Sequence, residues 1–194
     1  MTSRPVALAR TSASHPLQIG TVTLANPTGP AGRIGLTLCP GKVQRDAASG
    51  AWRRDLADDL AAIAHWSDGA TVTIVTLLRP DEITALQISG LGDAVCARGW
   101  RWLHLPIDDG GVPDVAFDAA WPRHRDELCR SLAGGGALLV HCKGGLGRTG
   151  IVAVMILVAS GFEASAALAL ARRARAGAVE NGGQEAFVRS LRPP

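Results

Sequence analysis

Residues 138–150, Leu-Leu-Val-His-Cys-Lys-Gly-Gly-Leu-Gly-Arg-Thr-Gly, constrain this chain more than any other stretch. Leu138, Leu139 and Val140 lead into a turn rich in glycine, and Ile151 to Val158 then reads as a buried helix. Glycines let successive backbone N–H groups turn inward where a Cβ would clash. A buried strand that hands over to a buried helix through such a turn belongs to a layered α/β architecture.

The rest of the chain supports that class. Leu17 to Leu24 and Arg33 to Cys39 read as strands, Arg53 to Trp66 as a helix, and Thr71 to Leu78 as a β-branched strand. Asp81 to Ser89 and Leu91 to Arg98 read as short helices, Trp100 to Leu105 as a strand, and Asp114 to Leu132 as a long helix. Two or three helices follow Thr149. The order predicts a central, mostly parallel sheet flanked by helices, in one domain over 17–194 behind a loose polar tail over 1–16.

The loop suits a phosphate ester. Helix start and glycine amides together favour an anion, and the backbone of Lys143, Gly144, Gly145, Leu146 and Gly147 would line it. Cys142 is the candidate nucleophile. Arg148 comes round the turn to grip two phosphoryl oxygens with its planar fork, which lysine cannot copy. Thr149 is placed to hydrogen-bond the sulfur and help it leave, and His141 is expected to point away from the substrate and brace the loop. Gly145 to Gly150 also spells G-x-G-x-x-G, the dinucleotide fingerprint, and hence a remote alternative of a nucleotide-binding oxidoreductase. That reading needs a further strand ending in an acidic residue about 20 positions on. An alanine-rich helical stretch, Glu163 to Ala176, stands there instead.

Pro106 to Asp114 is a second constellation: a mobile Gly110-Gly111 turn carrying Asp108 and Asp109, either of which could protonate a leaving oxygen. Asp114, after Pro113 and before a helix, reads as an N-cap. Between Asp108 and Asp109 the residues alone leave the choice open. Gln184, near the start of the last helix, reads by itself as an ordinary first-turn residue.

His-Cys, five residues, then Arg-Thr resembles the signature loop of the cysteine-based protein tyrosine and dual-specificity phosphatases. Pro106 to Asp114 and Leu36 to Gly41 resemble the cyclin-dependent-kinase-associated group of that family, and the likeness spans most of residues 33–190. The resemblance implies a protein tyrosine phosphatase-like fold of the dual-specificity type and hydrolysis through a phosphocysteine. It also implies that Asp109 is the general acid, that Gln184 positions the attacking water, and that neither metal nor organic cofactor is needed. The implied substrate is a phosphorylated protein or peptide, with phosphotyrosine and phosphoserine/threonine both open. Lys143 directly after the nucleophile also resembles phosphoinositide and inositol-polyphosphate phosphatases, although Leu146 replaces their second loop lysine. Trp121-Pro122 resembles the start of the classical Trp-Pro-Asp loop, but Arg123 stands at the acid position, so Trp121 is read as helix packing.

Composition excludes little but agrees. A net charge of +3 on 194 residues, with 18 arginines and 2 lysines, would not repel an anion and is too small to argue for nucleic acid. Cys39, Cys96, Cys129 and Cys142 are scattered without a C-x-x-C pair, which suggests reduced, cytoplasmic usage. The longest apolar run is far shorter than the roughly 20 residues of a membrane span.

Overall fold

The computed structural model describes residues 9–48 and 50–194. In chain order the first elements are β1 (Gly20–Leu24), β2 (Gly32–Thr37), β3 (Val43–Gln44), β4 (Trp52–Arg53), α1 (Leu56–Ser67), β5 (Val72–Thr76), α2 (Pro80–Ala85) and α3 (Leu91–Cys96). They are followed by β6 (Arg101–His104), α4 (Val115–Ala133), β7 (Ala137–His141), α5 (Gly147–Ala159), α6 (Ala164–Ala174) and α7 (Gly182–Ser190). The main sheet runs β1-β2-β7-β5-β6. Only β1 is antiparallel to its neighbour. The chain is therefore α/β, with a mostly parallel sheet between helices.

The strand that leads into the signature loop, β7, is the central one and is buried throughout. Its side chains alternate between faces, as the strand period of two requires. Ala137 and Leu139 pack with Leu60 and Ile63 of α1 and with Leu91 and Val95 of α3. Leu138 and Val140 pack with Phe117, Leu128 and Leu132 of α4 and with the apolar residues of α5. Burying each such leucine or valine is worth about 1.5–3 kcal/mol. Helix α5 lies against both the sheet and the outer helices, so every residue from Gly147 to Val158 is buried. No strand follows it among the described residues, only α6 and α7. The oxidoreductase alternative thus lacks the strand it needs.

Local expectations hold where the signal was short-range. Asp114 caps α4, its Oδ1 accepting from Phe117 N at 2.8 Å. Trp121 stacks on Phe117 with ring centroids 5.6 Å apart, as packing on α4. The expected strand over 17–24 is shorter, beginning at Gly20. The β3–β4 hairpin escaped the sequence because each strand has only two residues.

The tail expected over residues 1–16 needs correction in its described part; residues 1–8 lie outside the described residues. Arg10 N donates to Ala51 O at 2.8 Å and Arg10 O accepts from Arg53 N at 2.9 Å, extending the edge of β4. Ser12 exchanges hydrogen bonds with the Asp55 backbone. Polar residues joined through backbone groups leave no hydrophobic period to read.

A buried ion pair fixes the segment beneath the signature loop. Arg54 meets Asp59 through Nε at 2.7 Å and Nη2 at 2.6 Å, both side chains about 1% exposed. Asp59 also accepts from Gly41 N at 2.8 Å. Residues 39–42 are thereby held where Lys42 Nζ donates to Lys143 O at 3.1 Å.

Candidate active site

Cys142 stands directly after β7 and is 3% exposed. The backbone then turns so that Gly145 N donates to Cys142 Sγ at 3.3 Å. Gly145 has φ +76, and a Cβ there would lie 2.3 Å from the carbonyl of Thr37 at the end of β2. Glycine is required at that position by both conformation and space.

Arg148, in the first turn of α5, has a side chain about 1% exposed. Glu82 of α2 grips it bidentately, Nη1 to Oε2 at 2.6 Å and Nη2 to Oε1 at 2.9 Å. Nη1 also donates to Ile107 O at 3.0 Å. Nη2 reaches Asp109 Oδ1 at 2.8 Å. The guanidinium is therefore locked in orientation, while the Asp109 contact is one that an incoming anion can replace. Lys143 Nζ lies 2.9 Å from Asp109 Oδ2 and 3.7 Å from Glu82 Oε1.

The structure separates the two adjacent aspartates. Asp108 turns outward and pairs with Arg79 at 2.5 Å, whereas Asp109 turns inward onto Arg148 and Lys143. Burial pushes the Asp109 carboxyl up, but the Lys143 hydrogen bond and the Arg148 charge outweigh it and hold the group below the usual carboxylate range.

His141 points into the sheet side of the loop. Its Nε2 is 2.8 Å from Thr76 Oγ1 and its Nδ1 is 3.4 Å from Cys142 O. Burial lowers its pKa from 6.5 to about 4, so the ring is neutral at pH 7. Below pH 6.5 the unfolded chain binds this proton more tightly than the folded one. Stability is complete above that pH and falls as the pH drops towards about 4, by about 3 kcal/mol from this group. In urea titrations across this window, His141→Asn is expected to show the shallower pH slope; equal slopes would remove the assignment.

Thr149 is wholly buried and its Oγ1 has no partner, so the expected bond to sulfur is not made in this structure. Gln184 is also buried, and both ends of its amide are engaged: Oε1 accepts from Glu180 N at 2.9 Å and Nε2 donates to Gly111 O at 3.2 Å. With Asn181 Nδ2 donating to Gly110 O at 3.0 Å, it ties the start of α7 to the Asp109 turn.

Two groups escaped the sequence reading. Glu82 sits in the first turn of α2; the signal available was its place after the C-terminal end of β5, beside β7, where open α/β sheets put their ligands. Glu180 Oε2 accepts from Gly147 N at 2.7 Å, so a carboxylate caps α5 in the signature loop.

A buried thiol lies under a glycine amide, and Glu82 and Asp109 hold the Arg148 guanidinium in the same loop. The family model described as a Swiss Army Knife protein, DSP-PTPase phosphatase domain (PTP-SAK), matches residues 96–193. The chain belongs to this family of dual-specificity-type phosphatases. It is 31% identical to rat cyclin-dependent kinase inhibitor 3 over 125 residues, 64% of this chain and 54% of that protein. It is 29% identical to human protein tyrosine phosphatase type IVA 3 over 119 residues, 61% of this chain and 64% of the relative. The chain thus spans about half to two thirds of the length of the curated relatives it matches. Among solved structures, kinase associated phosphatase with its catalytic-site cysteine replaced by serine superposes with a TM-score of 0.72 at 25% identity. That match covers 89% of this chain and 92% of the other. No helix among the described residues is long and apolar enough to cross a membrane.

Proposed function

We propose that the chain hydrolyses phosphotyrosine and phosphoserine/threonine in proteins through a phosphocysteine intermediate. The observation that carries this reading is the Arg148 guanidinium, locked by Glu82 and shared with Asp109, in the loop that presents Cys142. The substrate dianion takes the donors of Arg148 and of the loop backbone, and Asp109 gives up its place on Arg148. Once the dianion neutralises these cations, the force holding the Asp109 carboxyl down is removed, which lets it carry a proton. The Cys142 thiolate attacks phosphorus in line, the bond to the leaving oxygen breaks, and Asp109 delivers its proton to that oxygen.

Asp109, now a base, takes a proton from the water that attacks the phosphocysteine, and the thiolate departs. The unpartnered hydroxyl of Thr149 is available to stabilise it. Gln184, anchored at both ends, contributes by holding the Asp109 turn against α7, and it directs water only if its bond to Gly111 opens. His141 braces the loop from behind. Four free cysteines suit a reducing compartment such as the cytoplasm.

Asp109→Asn is expected to lower kcat for alkyl phosphates by about 10²–10⁴, the usual worth of a general acid, and much less for activated aryl phosphates. Steady-state rates on the two leaving-group classes check this. Equal loss on both would take the proton away from Asp109.

A further inference from the structure

Trp102 of β6 is joined to the Cys142 backbone by a chain of hydrogen bonds that crosses the sheet. The strand register pairs Ile74 with Trp102, and Thr76 with both His104 and His141, so Trp102, Thr76 and His141 share one face of three neighbouring strands. Trp102 Nε1 donates to Thr76 Oγ1 at 2.8 Å, Thr76 Oγ1 lies 2.8 Å from His141 Nε2, and His141 Nδ1 lies 3.4 Å from Cys142 O. Thr76 and His141 are wholly buried. The indole is itself held in place. It stacks on His104 with ring centroids 5.4 Å apart, His104 Nε2 is 2.7 Å from Leu78 O, and a Cβ at Gly92 of α3 would lie 2.6 Å from the indole ring.

The direction of each bond follows from the groups that make it. An indole N–H can only donate. Thr76 therefore accepts from Trp102, and its single hydroxyl hydrogen has one remaining partner among the described residues, His141 Nε2. That nitrogen must then be bare. The His141 ring is neutral at pH 7, so its hydrogen sits on Nδ1, where Cys142 O accepts it. The opposite direction would leave the Thr76 hydrogen without an acceptor and set the Nδ1 lone pair against a carbonyl oxygen. Both faults would lie between wholly buried groups, where an unmade hydrogen bond is most costly.

We propose that Trp102 is a positioning residue for catalysis: its indole N–H sets the direction of the Thr76 hydroxyl, which holds His141 as the Nδ1–H tautomer and so fixes the Cys142 backbone at the start of the signature loop. The proposal rests on the phosphatase reading above, in which Cys142 attacks phosphorus. Trp102 touches no reacting atom. Its effect passes through the Cys142 carbonyl to the residue whose Sγ meets Gly145 N, and a nucleophile displaced by about 1 Å loses on the order of 10²-fold in rate.

The test reads ring and rate together in wild type, Trp102→Phe, Thr76→Val and Thr76→Ser. Trp102→Phe keeps an aromatic ring in place and removes the N–H; Thr76→Val keeps the shape and removes the hydroxyl. Long-range proton–nitrogen correlation spectra at pH 7 report which ring nitrogen bears the hydrogen, the His141 signal being the one lost in His141→Asn. Nδ1–H is expected in wild type, and an appreciable share of Nε2–H in Trp102→Phe, where Thr76 accepts from the ring as readily as it donates. On an aryl phosphate, kcat is expected to fall about tenfold in Trp102→Phe and Thr76→Val, with KM within about twofold of wild type because Arg148 and the loop amides still bind the ground state. Thr76→Ser, which keeps the hydroxyl, should recover most of the Thr76→Val loss. A general loosening of the loop would raise KM and leave the tautomer alone. Nε2–H in wild type overturns the proposal, and so does a Trp102→Phe variant in which either the tautomer or kcat stays at its wild-type value. Should Trp102→Phe fail to fold, a Thr76→Val loss that serine does not recover overturns it equally. Absence of Cys142-dependent turnover in wild type overturns the phosphatase reading and the catalytic role of Trp102 with it, whatever the spectra show.

Discussion

Cys142→Ser is expected to lower phosphate release by about five to six orders of magnitude, the scale on which hydrolases respond to loss of a nucleophile that works as part of a unit. A serine hydroxyl is only weakly ionised at pH 7, and the Gly145 amide that lies 3.3 Å from sulfur then faces a neutral oxygen. Phosphopeptide binding should persist, because Arg148, Lys143 and the loop amides are untouched. Titration calorimetry on the serine variant should give a Kd close to the wild-type KM for a slowly turned-over peptide. Residual turnover above about one part in a thousand in a clean preparation would mean that another group attacks phosphorus.

Arg148→Lys is expected to cost about 10³-fold in kcat/KM, within the range found for arginines that stabilise phosphoryl transfer. Charge is conserved in this substitution, so the loss isolates the planar fork. In the native site one guanidinium spans two oxygens of Glu82, Ile107 O and Asp109 Oδ1 at once. A lysine ammonium can keep one or two of these contacts and cannot face a phosphoryl group with two parallel donors. Glu82→Gln should do smaller damage of the same kind, about 10–10² in kcat/KM, because the arginine remains but its orientation is no longer fixed. Steady-state kinetics of both variants on one aryl phosphate measure the two effects. A loss in Glu82→Gln as large as that in Arg148→Lys would give Glu82 a role beyond positioning.

The parts of this protein that are local in sequence were readable from it. The strand, turn and helix around Cys142 lie within about 20 consecutive residues, and the alternation of β7 and the all-apolar face of α5 follow from where a central strand and an enclosed helix must sit. Asp114 as a cap was similarly legible from Pro113 and the helix after it. Contacts that join distant segments were not. Glu82 is 66 positions from Arg148, and nothing in an acidic residue after a proline says which cation it will meet.

Asp108 and Asp109 illustrate a finer limit. They are adjacent in the chain, just before Gly110 at φ +72, yet one carboxylate meets Arg79 and the other Arg148. Gln184 spends both ends of its amide on backbone partners, which a first-turn glutamine does not announce. Glu180 and the residues from Arg10 to Ser12 were hidden for a related reason: their contacts run to backbone groups, which leave no mark on hydrophobic spacing.

The central claim is tested most directly by phosphate release from a matched panel of a phosphotyrosine peptide, a phosphoserine/threonine peptide, a phosphoinositide and an inositol polyphosphate, each with wild type and Cys142→Ser. The account predicts turnover led by the peptides and abolished in the serine variant. Turnover led by the inositol compounds, or peptide turnover that survives the loss of Cys142, would contradict it.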